Sequence, residues 1–63
     1  MPIINVQMLE GRPESIIKDL MKNVTVTVSE TLDVPEERVR VLVQEIPKSH
    51  WGIGGVSAAD KKR

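Results

Sequence analysis

The chain has 63 residues, nine basic and nine acidic, with no cysteine and one histidine. A domain this small buries only about 60% of the surface its unfolded chain exposes, and its core rarely supplies more than roughly 3–5 kcal/mol. Disulfides and thiolate metal sites are excluded, a reducing compartment is indicated, and His50 alone cannot build a histidine-rich metal site. Association with other copies is the remaining staple.

The zero net charge gives no reason to expect nucleic acid or an anionic membrane as a partner. Lys61-Lys62-Arg63, the one basic run, reads as a solvated terminus. The start Met1-Pro2-Ile3-Ile4-Asn5 lacks the charged and apolar regions of a signal peptide. No apolar stretch approaches the roughly 20 residues needed to cross a bilayer. The expectation is one soluble, cytoplasmic domain over 1–63, with 56–63 as a partly ordered tail.

Ile3 to Leu9 is predicted as a first strand, with Ile4, Val6 and Met8 on one face and Ile3, Asn5, Gln7 and Leu9 on the other. Glu10-Gly11-Arg12-Pro13 breaks the pattern. Pro13 suits the first turn of a helix, where its missing N–H is no loss, and Glu14 then meets the positive end of the helix dipole.

Glu14 to Leu32 carries two competing signals. Ile17, Leu20, Met21, Val24 and Val28 recur at helical spacing, while Val24-Thr25-Val26-Thr27-Val28 alternates like a strand. Nineteen residues without a turn residue are too long for an ordinary strand, so a helix is predicted. Asp33 and Val34-Pro35 end it, because the residue before proline avoids the helical region. Glu36-Glu37-Arg38 is a polar turn. Val39 to Ile46 is a second strand, with Val39, Val41 and Val43 on one face and Arg40, Leu42, Gln44 and Ile46 on the other. Pro47 stops it, Lys48-Ser49-His50 is a loop, and the glycine-dense Trp51-Gly52-Ile53-Gly54-Gly55 is a short hairpin or arm.

Strand, helix, strand in this order makes an α/β unit with parallel strands and a right-handed crossover. The helix covers one sheet face. The other, with Ile3, Leu9, Leu42 and Ile46, lies open in a monomer, and two such strands are not stable alone. This is a second, independent reason to expect an oligomer.

Few residues offer chemistry. One histidine gives thin support for a Ser-His-Asp arrangement, and Gly52-Ile53-Gly54-Gly55 precedes no helix and lacks the phosphate-cradle fingerprint. Removal of Met1 would leave Pro2 with a secondary amine. An N-terminal α-amine titrates near ~8, and nearby cations and apolar walls lower that value, which suits a general base. Taken alone, Pro2 is better read as a residue that merely follows the start. Arg12 and Arg40 change the weighing. Either is commonly half of a surface ion pair. Near a low-pKa amine they would instead fork onto substrate carboxylates and stabilise a forming enolate. Trp51, the one aromatic, fits a pocket wall or a subunit interface better than a core.

Pro2 behind Met1, the run Met8-Leu9-Glu10-Gly11-Arg12, Val39-Arg40-Val41 after an acidic turn, and the Trp51-to-Gly55 arm span nearly the whole chain. In this order and at this spacing they resemble the 4-oxalocrotonate tautomerase family, specifically 2-hydroxymuconate tautomerase-like subunits. The resemblance implies a β-α-β unit with a C-terminal hairpin, a four-stranded sheet completed by dimerisation, and a homo-hexamer built as a trimer of dimers. It implies an isomerase without cofactor or metal, acting on a small anionic enol or keto acid. Pro2 would be the catalytic base and then acid. Arg12 would hold the distal carboxylate, and Arg40 the 2-oxygen and the near carboxylate. Leu9 and Trp51 would complete the substrate site, Trp51 standing where the family often has phenylalanine. The site would draw on more than one subunit.

Two alternatives stand beside it. A haloacrylate dehalogenase or hydratase of the same superfamily needs an extra carboxylate near the aromatic arm, and the stretch Ser49 to Gly55 has none. A non-catalytic subunit of an oligomer would keep Met1 attached.

Overall fold

The computed structural model describes residues 1–61. Lys62 and Arg63, read above as a solvated terminus, lie outside the described residues. Two strands, β1 (Ile3–Leu9) and β2 (Arg40–Ile46), flank a helix, α1 (Glu14–Leu32), and a hairpin follows, β3 (Gly52–Ile53) and β4 (Val56–Ser57). Short 3-10 turns at Glu36–Arg38 and Lys48–His50 precede β2 and the hairpin. Among the described residues no helix is long and apolar enough to cross a membrane.

β1 and β2 pair in parallel from Ile3 opposite Arg40 to Leu9 opposite Ile46. The alternation read from the sequence holds on the helix side. Ile4, Val6, Met8, Val41 and Val43 are half-buried, and Val39 is the one buried residue described, 8% exposed. The opposite face is open, with Ile3 at 57% and Leu42 at 55% exposure. Leu9 and Ile46, expected to be as open as these, are half-buried. They are partners at the last rung of the ladder and cover each other.

Ile17, Leu20, Met21, Val24 and Val28 are half-buried along one stripe of α1, and Lys18, Asp19, Lys22 and Asn23 are exposed. The β-branched segment is helical after all, because its apolar side chains lie on the stripe the sheet needs. Thr25 Oγ1 donates to the Met21 carbonyl at 2.7 Å, which satisfies its hydroxyl inside the helix. Pro13 stands one residue outside its expected place: it is the N-cap, with extended backbone, and Glu14 is the first helical residue. Asp33 closes the helix in the left-handed region, φ 58° and ψ 51°. The Val34 N–H donates to the Ser29 carbonyl at 3.1 Å, and Ser29 Oγ donates to the Val34 carbonyl at 2.5 Å.

Two further boundaries differ from expectation. β2 begins at Arg40, because the Val39 N–H is turned to the Glu36 carbonyl and closes the 3-10 turn. The residues from 56 on, expected as a loose tail, supply the second hairpin strand. Gly54 and Gly55, at φ 60° and 86°, make the two-residue turn, and two positive φ values in succession are open chiefly to glycine. Ala58 and Ala59 N–H groups then donate to the carbonyls of Trp51 at 2.7 Å and Lys48 at 3.2 Å, tying the segment to the second 3-10 turn.

The radius of gyration is 14.9 Å, over extents of 44 × 23 × 15 Å. A compact chain of this length measures about 11 Å. The excess comes from an open sheet face and an arm that displays Ile53 and Val56, both 44% exposed and directly opposite each other.

Candidate active site

Parallel pairing decides which candidate residues meet. The Arg40 main-chain N–H donates to the Pro2 carbonyl at 3.0 Å, as the parallel pairing of Ile3 with Arg40 requires at the first rung of the ladder. Pro2 and Arg40 therefore stand together at the start of the sheet. Pro2 is half-buried and Arg40 exposed. Met1 is 78% exposed. While it is attached, the Pro2 nitrogen is a tertiary amide with no basicity, and its removal frees the amine.

Leu9 and Arg12 belong to the other end. The seven-residue strand runs from Ile3 to Leu9, about 20 Å at the rise of a β-strand. Arg12 follows in the exposed turn, and its guanidinium reaches back to the Leu9 carbonyl at 3.4 Å. Trp51 is also on this side, half-buried, on the arm that leaves β2 after Ile46 and Pro47. One chain thus brings Pro2 to Arg40, and holds Leu9, Arg12 and Trp51 at the opposite end of the sheet. No small diacid spans that distance, and no pocket forms among the described residues.

The sequence reading overlooked the environment of Arg40. Its Nη1 donates to the Glu37 carbonyl at 2.5 Å, rather than to the neighbouring carboxylates that a surface ion pair would use. No side-chain pattern signals this, since every residue carries a main-chain carbonyl. Among the described residues no three His, Asp or Glu side chains are grouped as metal ligands would be.

Comparison with known proteins bears on the whole chain. The profile of a family described as "Tautomerase enzyme" matches residues 2–61. A probable tautomerase of Bacillus cereus is 46% identical over 61 residues, covering 97% of this chain and 100% of that one. A 2-hydroxymuconate tautomerase of Pseudomonas putida is 44% identical over 63 residues, covering both chains completely. A heterohexamer 4-oxalocrotonate tautomerase from Chloroflexus aurantiacus superimposes with a TM-score of 0.90 at 34% identity, covering 98% of this chain and 100% of that one. With the β-α-β-hairpin architecture matched from end to end, this chain belongs to the tautomerase family.

Proposed function

We propose that the chain, once Met1 is removed, is an isomerase that interconverts enol and keto forms of 2-hydroxy and 2-oxo acids such as 2-hydroxymuconate. The observation that carries it is the main-chain hydrogen bond from Arg40 to Pro2, which sets the residue with the one candidate base beside a residue with a permanent cation. The Pro2 amine takes the proton of the 2-hydroxyl. As that O–H bond breaks, the C2–O bond becomes a carbonyl, the double bonds shift, and the proton held by Pro2 forms the new C–H bond. The proline ends as it began. Arg40 stabilises the charge on the 2-oxygen and holds the near carboxylate, and Arg12 holds the far one by its planar fork. Leu9 and Trp51 form the apolar wall, which lowers the affinity of the amine for its resting proton.

The separation of Arg12 from Pro2 within one chain supports a site shared between copies. The open face around Ile3 and Leu42, the free strand edges and the projecting hairpin support a homo-oligomer. In our reading two chains join their sheets into a four-stranded one, and three such pairs make a hexamer. We place the enzyme in the cytoplasm and read 1–63 as one catalytic domain. A second reading draws on Met1: a chain that keeps it is a non-catalytic subunit, and mixed assembly is what the Chloroflexus relative's description as a heterohexamer supports.

The test is ketonisation of 2-hydroxymuconate, followed by ultraviolet absorbance on protein whose mass shows loss of Met1. Turnover well above the uncatalysed rate is expected. No turnover by the processed oligomer overturns the proposal.

A further inference from the structure

The two arginines are held differently. Each reaches the main-chain carbonyl three residues before it, Arg40 that of Glu37 at 2.5 Å and Arg12 that of Leu9 at 3.4 Å. The first is a short, charge-assisted bond, and the second lies outside the usual range. The acceptors explain the contrast. The Glu37 carbonyl sits inside the 3-10 turn, where Arg38 N–H donates to the Pro35 carbonyl and Val39 N–H to the Glu36 carbonyl, both at 3.0 Å. Pro35 opens this turn at φ −62°, which its ring fixes. Val39, the one buried residue described, closes it. The Leu9 carbonyl instead ends a strand that runs into the exposed Glu10 and Gly11.

Resting on the tautomerase reading, we infer that the Pro35-to-Val39 turn positions Arg40 through the Glu37 carbonyl, fixing the guanidinium of the residue that the ladder sets next to Pro2. A carbonyl suits this task better than a carboxylate. It occupies one of five guanidinium donors and leaves the positive charge uncancelled, so the remaining donors face an incoming anion at full strength. A cation fixed beforehand need not reorganise when charge develops on the substrate oxygen, and such precision depends on the groups behind it. Arg12, loosely held, is free to follow the far carboxylate. Arg40 touches substrate in this scheme, and Pro35, Glu37 and Val39 act only through it.

The test combines kinetics with a measurement that needs no substrate. Pro35→Gly and the milder Pro35→Ala are made alone and together with Arg40→Ala, in processed protein whose assembly is checked by light scattering. Pro35→Gly is expected to lower kcat/KM about tenfold, Pro35→Ala less, and neither to lower the residual turnover of Arg40→Ala further. An equal fall in both backgrounds means the turn serves only the fold, and overturns the inference. On the unmutated protein, nitrogen NMR of the arginine side chains is expected to resolve the Arg40 Nη groups as slowly rotating, with those of Arg12 averaged. Equal averaging of both overturns the inference whatever the activity. If the processed protein has no turnover while Arg40 alone is restrained, the tautomerase reading fails and the positioning of Arg40 stands.

Discussion

The Arg40 main-chain N–H donates to the carbonyl oxygen of Pro2 at 3.0 Å, in the first rung of the parallel ladder. The residue with the potential base and a residue with a permanent cation are therefore set side by side by backbone pairing. Side-chain substitution leaves that placement intact, so loss of function can be separated from loss of fold.

Replacing Pro2 tests the base. Pro2→Ala leaves a primary amine after processing and keeps the carbonyl that accepts from Arg40. Turnover of 2-hydroxymuconate is expected to fall by about 100-fold, within the range assigned to a positioned acid–base group, while the circular dichroism and the oligomer mass stay unchanged. Unaltered turnover sinks the proposed mechanism. Protein that retains Met1 is expected to be as inactive as the variant, since its Pro2 nitrogen is an amide.

Arg12 and Arg40 lie at opposite ends of one sheet, so a shared site can be reconstituted from two defective chains. Arg12→Ala and Arg40→Ala homo-oligomers are each expected to lose turnover by about 100-fold, as for removal of one oxyanion-stabilising donor. Unfolding and reassembling them as an equal mixture is expected to restore on the order of a quarter of the sites, because random mixing in a symmetric oligomer joins an intact Arg12 from one chain to an intact Arg40 from another. A mixture no more active than its parents would show that a single chain supplies both arginines.

Val39 is the one buried side chain described, at 8% exposure. Val39→Ala removes two methyl groups from this buried side chain, at a cost of about 2 kcal/mol. Against a core worth roughly 3–5 kcal/mol, that is a large fraction. Urea denaturation at two protein concentrations is expected to show a lower midpoint for the variant and a midpoint that rises with concentration for both.

Asp33 closes α1 with φ 58°, a conformation that costs a residue with Cβ roughly 1–2 kcal/mol, and it adds a negative charge at the C-terminal, negative end of the helix dipole. Asp33→Gly is expected to raise stability by about 0.5–1 kcal/mol despite the greater freedom glycine loses. Asp33→Asn, which removes the charge alone, gains less. Thermal denaturation ranks the three proteins, and a lower transition temperature for both variants would show that the aspartate has a stabilising partner.

The extent of the fold legible in the sequence follows from which forces are local. The 19-residue apolar stripe from Glu14 to Leu32 outweighed the alternating Val24-to-Val28 run, and the strand over Ile3–Leu9 matched residue for residue. Boundaries set by single main-chain bonds were less legible. Val39 left the strand to close a turn, Pro13 moved outside the helix, and Val56 and Ser57 became a hairpin strand. At Val56 the signal was present in Gly54-Gly55, whose turn needs a partner strand on both sides.

By itself the sequence determined that a helix must cover one face of two parallel strands, since hydrophobic spacing and connection length leave no other arrangement. It also determined that so small an apolar content cannot bury a core alone. Through its resemblance to a family, it singled out Pro2, Arg12, Arg40, Trp51 and Leu9. Only the tertiary structure decided which of these stand together. In-register parallel pairing, a choice made by hydrogen bonds between strands whose paired residues lie 37 positions apart, set Arg40 against Pro2 and carried Arg12 to the far end of the sheet. A strand is rigid and about 3.3 Å long per residue, so no rearrangement of side chains reverses that assignment.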